Sequence, residues 1–230
     1  MDRRRDGKNY IFYNQKDTVD FYTRIKANDY TVLRTLKDDR RSLVQLIRIN
    51  GKRYVLKVPR EKNRRKWQRF LSIFRGGEST RECRQLEKLM LNGFHAPRPF
   101  LALEKRKYGM VFDSLSVSEY IESRPSTEKD FDIVCNSLRE IHGKGFLHGD
   151  SQIENFLVTD ERIYLIDCKL LKNIYGKFGE MYEYIYLKES CNIDLEKYIN
   201  VKSFYFKGAK LLNSYLHWWG NFRKKIRNKG

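Results

Sequence analysis

The chain has 230 residues, enough for one large domain or two small lobes; 40% of them are hydrophobic and 33% are charged. Lysine and arginine number 47 against 29 aspartates and glutamates, so the formal net charge is +18. Such a charge predicts an anionic partner, whether nucleic acid, lipid headgroups or a polyanionic substrate. A surface that serves solubility alone is the weaker explanation.

The sequence shows no signal for secretion or for a membrane span. No apolar run approaches the length of about 18 residues that a transmembrane helix needs, and the charged residues 1–6 have no apolar segment behind them. There is no Cys-x-x-Cys pair among the four cysteines, Cys83, Cys135, Cys168 and Cys191. This predicts buried free thiols in a reducing compartment rather than a metal site or a disulfide framework.

The first part of the chain predicts a small β-rich lobe. Residues 1–29 are polar with short apolar anchors, and β-like runs follow at residues 30–36, 43–49 and 53–58. Asn50 and Gly51 form a two-residue hairpin signal between the second and third runs. Lys57 interrupts the third run. By itself it can be explained as an edge-strand lysine whose stem covers apolar surface, or as a lysine that neutralises nucleotide phosphates.

The next two segments predict helices. Residues 60–75 place seven basic residues among aromatic and aliphatic ones, which suits an interfacial helix on anionic membrane, a nucleic-acid surface or a core-packed helix with a basic face. After Gly76 and Gly77, residues 79–82 predict a capping box at the start of a helix that ends near residues 92–93. Glu82 is then either the capping residue or the carboxylate that pairs with Lys57; Glu87 is its rival for the second role.

Further strands are predicted at residues 108–113 and 116–121, giving about five in the first lobe, with the lobe boundary near residues 120–122. A capping box at residues 127–130 predicts the start of a helix that ends at Gly143 and Gly145. From residue 168 onwards the pattern is mostly helical. The last of its apolar groups consists of Leu211, Leu212, Tyr215, Leu216, Trp218 and Trp219.

The segment that carries the chemistry is residues 148–167. His148 and Asp150 form a His-x-Asp sequence, Asn155 follows five residues after the Asp, and an apolar strand ends at Asp167. Phosphoryl transfer from a metal-bound nucleotide requires such groups. One carboxylate accepts a hydroxyl proton, while an amide and a second carboxylate hold Mg²⁺ against the phosphates. The spacing of Asp150 and Asn155 fits the Asp-x-x-x-x-Asn pattern of a kinase catalytic loop.

The order of strand lysine, helix glutamate, His-Gly-Asp loop and strand-end aspartate resembles the protein-kinase-like fold. More closely, residues 54–67, the helix with Glu82 and residues 148–158 resemble the bacterial lipopolysaccharide core heptose(II) kinase family, over nearly the whole chain. The resemblance implies an α+β, bilobal fold with a small antiparallel sheet lobe and a mostly helical lobe. It implies one domain over residues 1–230, with lobes of about 1–121 and 122–230.

The resemblance also implies the roles of the site residues and the identity of the substrates. Asp150 would deprotonate the acceptor, Asn155 and Asp167 would bind Mg²⁺, and Lys57, aligned by Glu82, would hold the α- and β-phosphates of ATP. His148 would brace the loop. The acceptor would be a heptose in the anionic lipopolysaccharide core oligosaccharide, at the cytoplasmic face of the inner membrane.

Three departures from the kinase pattern limit the resemblance. Residues 37–42 contain no glycine where a glycine-rich loop would cover the phosphates, and only Lys37, Arg40 and Arg41 offer cations there. Asp167 is followed by Cys-Lys instead of Phe-Gly. Gln152 replaces the lysine after the catalytic Asp, and no Ala-Pro-Glu is present, which argues against a peptide substrate.

Two alternatives remain open at this point. One is a kinase of another small hydroxyl compound, such as an aminoglycoside, although a polycation suits a protein of charge +18 poorly. The other is a catalytically inactive kinase-like module that binds membrane or RNA; we do not expect nucleic acid, since no RNA-binding signature is visible. No residue is clearly assigned to the acceptor site; basic residues near the catalytic loop, such as Lys169 and Lys172, are candidates.

Overall fold

The computed structural model describes residues 2–13, 18–61, 65–160, 162–191 and 193–227. Its contacts divide the chain into two compact units, Met1–Glu122 and Ser123–Gly230, and this division falls beside the predicted lobe boundary. The assignment of both units to one domain stays a prediction.

The first unit is built on a seven-stranded antiparallel sheet with the strand order β1-β2-β6-β7-β5-β4-β3. The strands are β1 (Asp2–Asp6), β2 (Asn9–Tyr13), β3 (Thr31–Asp38), β4 (Leu43–Ile49), β5 (Lys52–Val58), β6 (Pro99–Lys107) and β7 (Met110–Glu119). The helices are α1 (Thr18–Ala27), α2 (Lys66–Arg75) and α3 (Glu78–Leu91). Residues 62–64 of the predicted basic helix lie outside the described residues.

Three of these strands follow the sequence prediction, and their hairpin has the expected geometry. Asn50 and Gly51 adopt φ angles of 49° and 75°, the left-handed values that a tight hairpin between twisted strands requires. The rest of the sheet differs. β1, β2 and β6 were not predicted, and β7 is one continuous strand where two were expected. The turn lies before β7, at Tyr108 and Gly109, whose φ angles are 53° and 77°. Tyr108 is therefore a turn residue and not the start of a strand.

The core of the first unit lies on both faces of the sheet. Side chains alternate along a strand, so Leu101 and Leu103 face one side while Ala102 faces the other. The first side packs against α1 through Phe21 and Ile25, and the other side packs against α3 through Cys83. The face that carries Ala102 therefore packs against α3, mainly through β6 and β7.

The second unit is mostly helical, as expected. Its helices are α4 (Phe131–Gly143), α5 (Lys177–Glu189) and α6 (Phe204–Arg227), and its short strands are β8 (Arg124–Pro125), β9 (Phe146–Leu147), β10 (Phe156–Val158), β11 (Ile163–Leu165) and β12 (Leu171–Lys172). The strands pair antiparallel as β11-β10-β8 and β12-β9. The predicted capping box is present between Thr127 and Asp130, where it opens a short 3-10 turn ahead of α4.

Within the part of the chain that the structure describes, no helix has both the length and the apolar character needed to cross a bilayer.

Candidate active site

Lys57 lies in an interior strand of the sheet and is paired with Glu82 of α3. The Nζ atom of Lys57 donates to Oε1 of Glu82 at 2.8 Å, and the two side chains are only 24% and 21% exposed. Because β5 pairs with β4 on one side and with β7 on the other, Lys57 is not an edge-strand lysine. The structure thus pairs the strand lysine with one of the two helix carboxylates that the sequence offered.

The start of α3 is fixed by a carboxylate from another element, and the predicted capping box is wrong. The helix begins at Glu78, with Gly77 as its N-cap and no side-chain cap. The N–H of Gly77 donates to Oε1 of Glu104 at 2.6 Å, and the hydroxyl of Thr80 donates to the same atom at 2.5 Å. The hydroxyl of Ser79 is turned inward too, towards Ser114. Packing of these hydroxyls into the sheet therefore replaces the local cap.

Glu104 is fully buried in β6 and uses both of its carboxylate oxygens. Its second oxygen, Oε2, accepts from Nε and Nη2 of Arg106 at 2.8 and 2.6 Å. A side chain at position 77 would come within 2.9 Å of Glu104, so only glycine fits there. Sequence reasoning missed Glu104; the available signal was strand alternation, which places it on the face of Ala102, towards α3.

The turn between β3 and β4 is shaped by an aspartate instead of glycines. The N–H groups of Arg41 and Ser42 both donate to Oδ1 of Asp39 at 2.7 Å. The bond from Ser42, and to a smaller extent that from Arg41, lowers the pKa of Asp39. Lys37 lies 3.5 Å from the same carboxylate and is half exposed. The turn is thus ordered without glycine, by the local side-chain bonds that aspartate forms well.

In the second unit, His148 is fully buried inside the candidate catalytic loop. Its Nδ1 atom accepts from the N–H of Asp150 at 3.3 Å, and its ring packs 4.9 Å from that of Phe156. Burial lowers the pKa of His148 to about 4, against the opposing effect of the Glu183 and Asp167 charges. At neutral pH the imidazole is therefore uncharged.

Asn155 closes the loop and brings Asp167 alongside it. The Nδ2 atom of Asn155 donates to the carbonyl oxygen of Asp150 at 2.8 Å, so its Oδ1 atom lies on the other side of the amide. The N–H of Ile166 donates to the carbonyl oxygen of Asn155 at 3.0 Å, and Asp167 follows at once, with φ at 51°. In donor chemistry, an amide oxygen and a carboxylate, this pair fits a hard divalent cation such as Mg²⁺.

Glycine is favoured at position 149 by its backbone conformation and by the segment after Asp167, which packs directly against it. Its φ is +82°, and an added Cβ would lie 3.1 Å from atoms of Lys169 and Leu171. Lys169 is bound twice to the loop: its N–H donates to the carbonyl oxygen of His148 at 2.8 Å, and its Nζ donates to that of Gly149 at 2.9 Å.

The loop is held on α5 by Glu183, which sequence reasoning missed. Its Oε1 atom accepts from the N–H of Gly149 at 2.5 Å, and its Oε2 atom accepts from the N–H of His148 at 2.9 Å. The Nε2 atom of His142 lies 2.9 Å from Oε2, and Glu183 is only 5% exposed. Its sole sequence signal was an acidic residue between the apolar residues Tyr182 and Ile185 of α5.

An antiparallel sheet with a lysine–glutamate ion pair, joined to a helical unit with a His-x-Asp loop, is the architecture of the protein-kinase-like fold. The solved structure of WaaP in complex with acyl carrier protein shows the same fold, with a TM-score of 0.52, 14% identity, and coverage of 94% of this chain and 98% of that chain. The family model of the lipopolysaccharide core biosynthesis protein (WaaY) matches residues 1–207, and the chain belongs to that family.

Two curated relatives carry kinase names. The chain is 26% identical over 208 residues to the lipopolysaccharide core heptose(II) kinase WaaY of Escherichia coli (strain K12), covering 87% of this chain and 81% of the relative. It is 29% identical over 110 residues to the 3-deoxy-D-manno-octulosonic acid kinase of Vibrio parahaemolyticus serotype O3:K6 (strain RIMD 2210633), covering 41% of this chain and 45% of that relative. The chain thus spans less than half of the Vibrio relative.

The predicted family, the α+β protein-kinase-like fold and the phosphotransferase class are confirmed at this level. The roles assigned to Lys57, Glu82, Asp150, Asn155 and Asp167, and that of His148, stay predictions.

Proposed function

We propose that the protein is an ATP-dependent kinase that phosphorylates a hydroxyl of an inner-core heptose, heptose II, during lipopolysaccharide core biosynthesis. The observation that carries this acceptor is the similarity to the Escherichia coli heptose(II) kinase over 208 residues. That stretch of similarity is accompanied by all four groups that phosphoryl transfer needs: Lys57, Asp150, Asn155 and Asp167. A catalytically inactive module would have no need to keep all four.

Each residue has a distinct task in the proposed reaction. Asp150 accepts the proton of the acceptor hydroxyl. Its backbone is held in place by two bonds: its N–H donates to Nδ1 of His148, and its carbonyl oxygen accepts from Nδ2 of Asn155. Lys57, aligned by Glu82, binds the α- and β-phosphates. Asn155 and Asp167 would hold Mg²⁺, which supplies neutralising charge to the phosphates when bound.

The charge of the protein supports an anionic acceptor. A net charge of +18 attracts a phosphorylated core oligosaccharide and repels a polycationic aminoglycoside. Lys169 is exposed beside the loop and is a candidate contact for the acceptor, although its Nζ atom is bound to Gly149. Because the acceptor is a glycolipid, we place the protein at the cytoplasmic face of the inner membrane, in peripheral contact with it.

A second acceptor is favoured by the Vibrio relative, whose name specifies 3-deoxy-D-manno-octulosonic acid. Its identity is slightly higher, at 29% against 26%, but it covers 110 residues instead of 208. The heptose is therefore the better proposal and the octulosonic acid the second.

The test is mass spectrometry of inner-core oligosaccharide incubated with the protein and Mg-ATP, followed by fragmentation to locate the phosphate. We expect one phosphate on heptose II. The Asp150→Asn variant should lose about 10²–10⁴-fold in rate while its circular dichroism and urea midpoint are retained. Glu154→Gln, an exposed acid on the same loop, is the matched control and should keep full activity.

The outcomes separate the alternatives. Phosphate on the octulosonic acid would show that this sugar, and not the heptose, is the acceptor, and the proposed kinase activity would stand. No transfer to any core sugar, or a folded Asp150→Asn variant with undiminished activity, would refute the kinase proposal itself.

A further inference from the structure

Helix α6 is attached to the second unit by a narrow face only. Along Phe204–Arg227, Ala209 and Asn213 are the buried residues among those the structure describes. Asn213 donates from Nδ2 to Oε1 of Glu189 on α5 at 2.6 Å. The packing face of α6 therefore follows the line of these two side chains, and the other faces of the helix point away from α5.

The face opposite to the packing face is an exposed apolar stripe. The positions of its members differ by seven, four, three and four residues, which places them on one side of an α-helix. We call these residues the α6 stripe: Phe204, Leu211, Tyr215, Trp218 and Phe222, with exposed fractions of 85%, 74%, 55%, 58% and 42%. Neighbouring rings touch, with centroids 6.1 Å apart for Tyr215 and Trp218 and 5.7 Å apart for Trp218 and Phe222. The three rings from Tyr215 to Phe222 thus form a continuous surface.

The charge of α6 is of one sign. The helix contains no aspartate or glutamate and six basic residues: Lys207, Lys210, Arg223, Lys224, Lys225 and Arg227. An apolar stripe rich in Trp, Tyr and Phe, on a helix whose only charges are positive, suits the boundary between anionic headgroups and acyl chains.

From this complementarity we infer that the α6 stripe binds the surface of a membrane that contains anionic phospholipid. The inference rests on the proposed function, because the stripe would bring the proposed kinase to a lipid-linked acceptor. The stripe would enter the headgroup region, and the exposed Lys207, Lys210 and Arg223 would pair with phosphates. Binding should therefore depend both on apolar contact and on lipid charge.

The charge argues against a second copy of the chain as the occupant. A symmetric pair would bring the same patch of both copies together, so two acid-free helices would face each other and repel. The rival surface within the chain is α2, where Trp67 and Phe74 are 66% and 78% exposed. Its stripe is shorter, because α2 has 10 residues against 24 in α6.

Co-sedimentation of the full chain with vesicles provides the test. We expect binding to vesicles of phosphatidylglycerol and phosphatidylcholine, weaker binding to pure phosphatidylcholine, and a decrease with added salt. The triple variant Leu211→Ser, Trp218→Ser and Phe222→Ser should bind the mixed vesicles at least roughly tenfold more weakly. The matched control, Leu91→Ser with Tyr108→Ser, removes side chains that are 83% and 81% exposed elsewhere and should bind normally.

Three results would overturn the inference. One is unchanged vesicle binding by the triple variant. Another is loss of binding on changing Trp67 and Phe74 to serine instead, which would assign the contact to α2. The third is a wild-type dimer in light scattering that the triple variant dissociates. Transfer of phosphate to delipidated oligosaccharide should be unaffected by the triple variant, so failure of the kinase proposal and failure of the membrane inference are read from separate measurements.

Discussion

Substitution of Glu183 by glutamine tests what holds the candidate catalytic loop. The carboxylate accepts from two backbone N–H groups, those of His148 and Gly149, through different oxygens, and His142 lies 2.9 Å from one of them. Glutamine has only one oxygen. Whichever way its amide is turned, an NH₂ group faces a buried N–H donor. The variant keeps the size of the side chain and removes one accepted bond and the charge.

The cost follows from the burial of these groups. A hydrogen bond to a charged acceptor contributes about 1.5–3 kcal/mol, and a buried donor left unsatisfied costs about 1–3 kcal/mol. We therefore expect Glu183→Gln to lower the free energy of unfolding by about 3–5 kcal/mol. Asp150 follows Gly149 directly, so a loosened loop should also reduce kcat, by about 10–100-fold, through misplacement of the carboxylate.

Urea unfolding measures the first effect, and exchange of the His148 and Gly149 amide hydrogens locates it. The matched control is Glu180→Gln, one turn earlier on α5, where the carboxylate accepts a single bond from Asn173 at 3.3 Å that an amide oxygen can keep. A Glu183→Gln protein with stability within about 0.5 kcal/mol of wild type and with normal kcat would refute the reasoning.

Two further predictions concern the same loop. Gly149→Ala should destabilise the fold by about 2–4 kcal/mol in urea unfolding, because φ is +82° and the new methyl group meets Lys169 and Leu171, whereas Gly143→Ala at an open helical position should be neutral or slightly stabilising. His148→Asn should flatten the pH dependence of stability. The pKa of His148 in the folded protein is lowered to about 4, so the unfolded chain binds its proton first as the pH falls. The free energy of unfolding of the wild type should therefore fall by about 2 kcal/mol between pH 7 and pH 5. An equally steep loss in the variant would contradict this account.

The sequence was informative wherever a local pattern determines the conformation. Asn50 and Gly51 specify their hairpin because they accept left-handed φ angles, at 49° and 75°, at little cost. The stripe of α4 was equally predictable: Phe131, Val134 and Leu138 recur at helical spacing and are buried at 2%, 0% and 0% exposure. The Asp150 to Asn155 spacing is local in the same sense, because Asn155 donates to the carbonyl oxygen of Asp150 and closes the loop within the motif.

The missed strands have no such local signal. β1, with the sequence Asp-Arg-Arg-Arg-Asp, is an edge strand whose first four residues are exposed, so it forms through backbone pairing with β2 and not through an apolar face. β6 opens at Pro99, which reads as a breaker, yet proline is tolerated as the first residue of a strand. At the turn after β6, Tyr108 is a residue type that favours strands, but its φ angle is that of a turn residue. For β6 and the turn after it, the pairing of β6 with β7 decides the structure.

The residues that sequence reasoning could not find share one physical property: they are buried carboxylates that bind the backbone of a different element. Glu104 of β6 holds the first turn of α3. The same helix carries Glu82, which pairs with Lys57. Glu183 of α5 holds the loop that carries Asp150. Burial of such a charge is costly unless several donors converge on it, and those donors come from parts of the chain that are distant in sequence. In each unit a buried carboxylate thus holds the element that carries a residue of the predicted site, Glu82 in the first unit and Asp150 in the second.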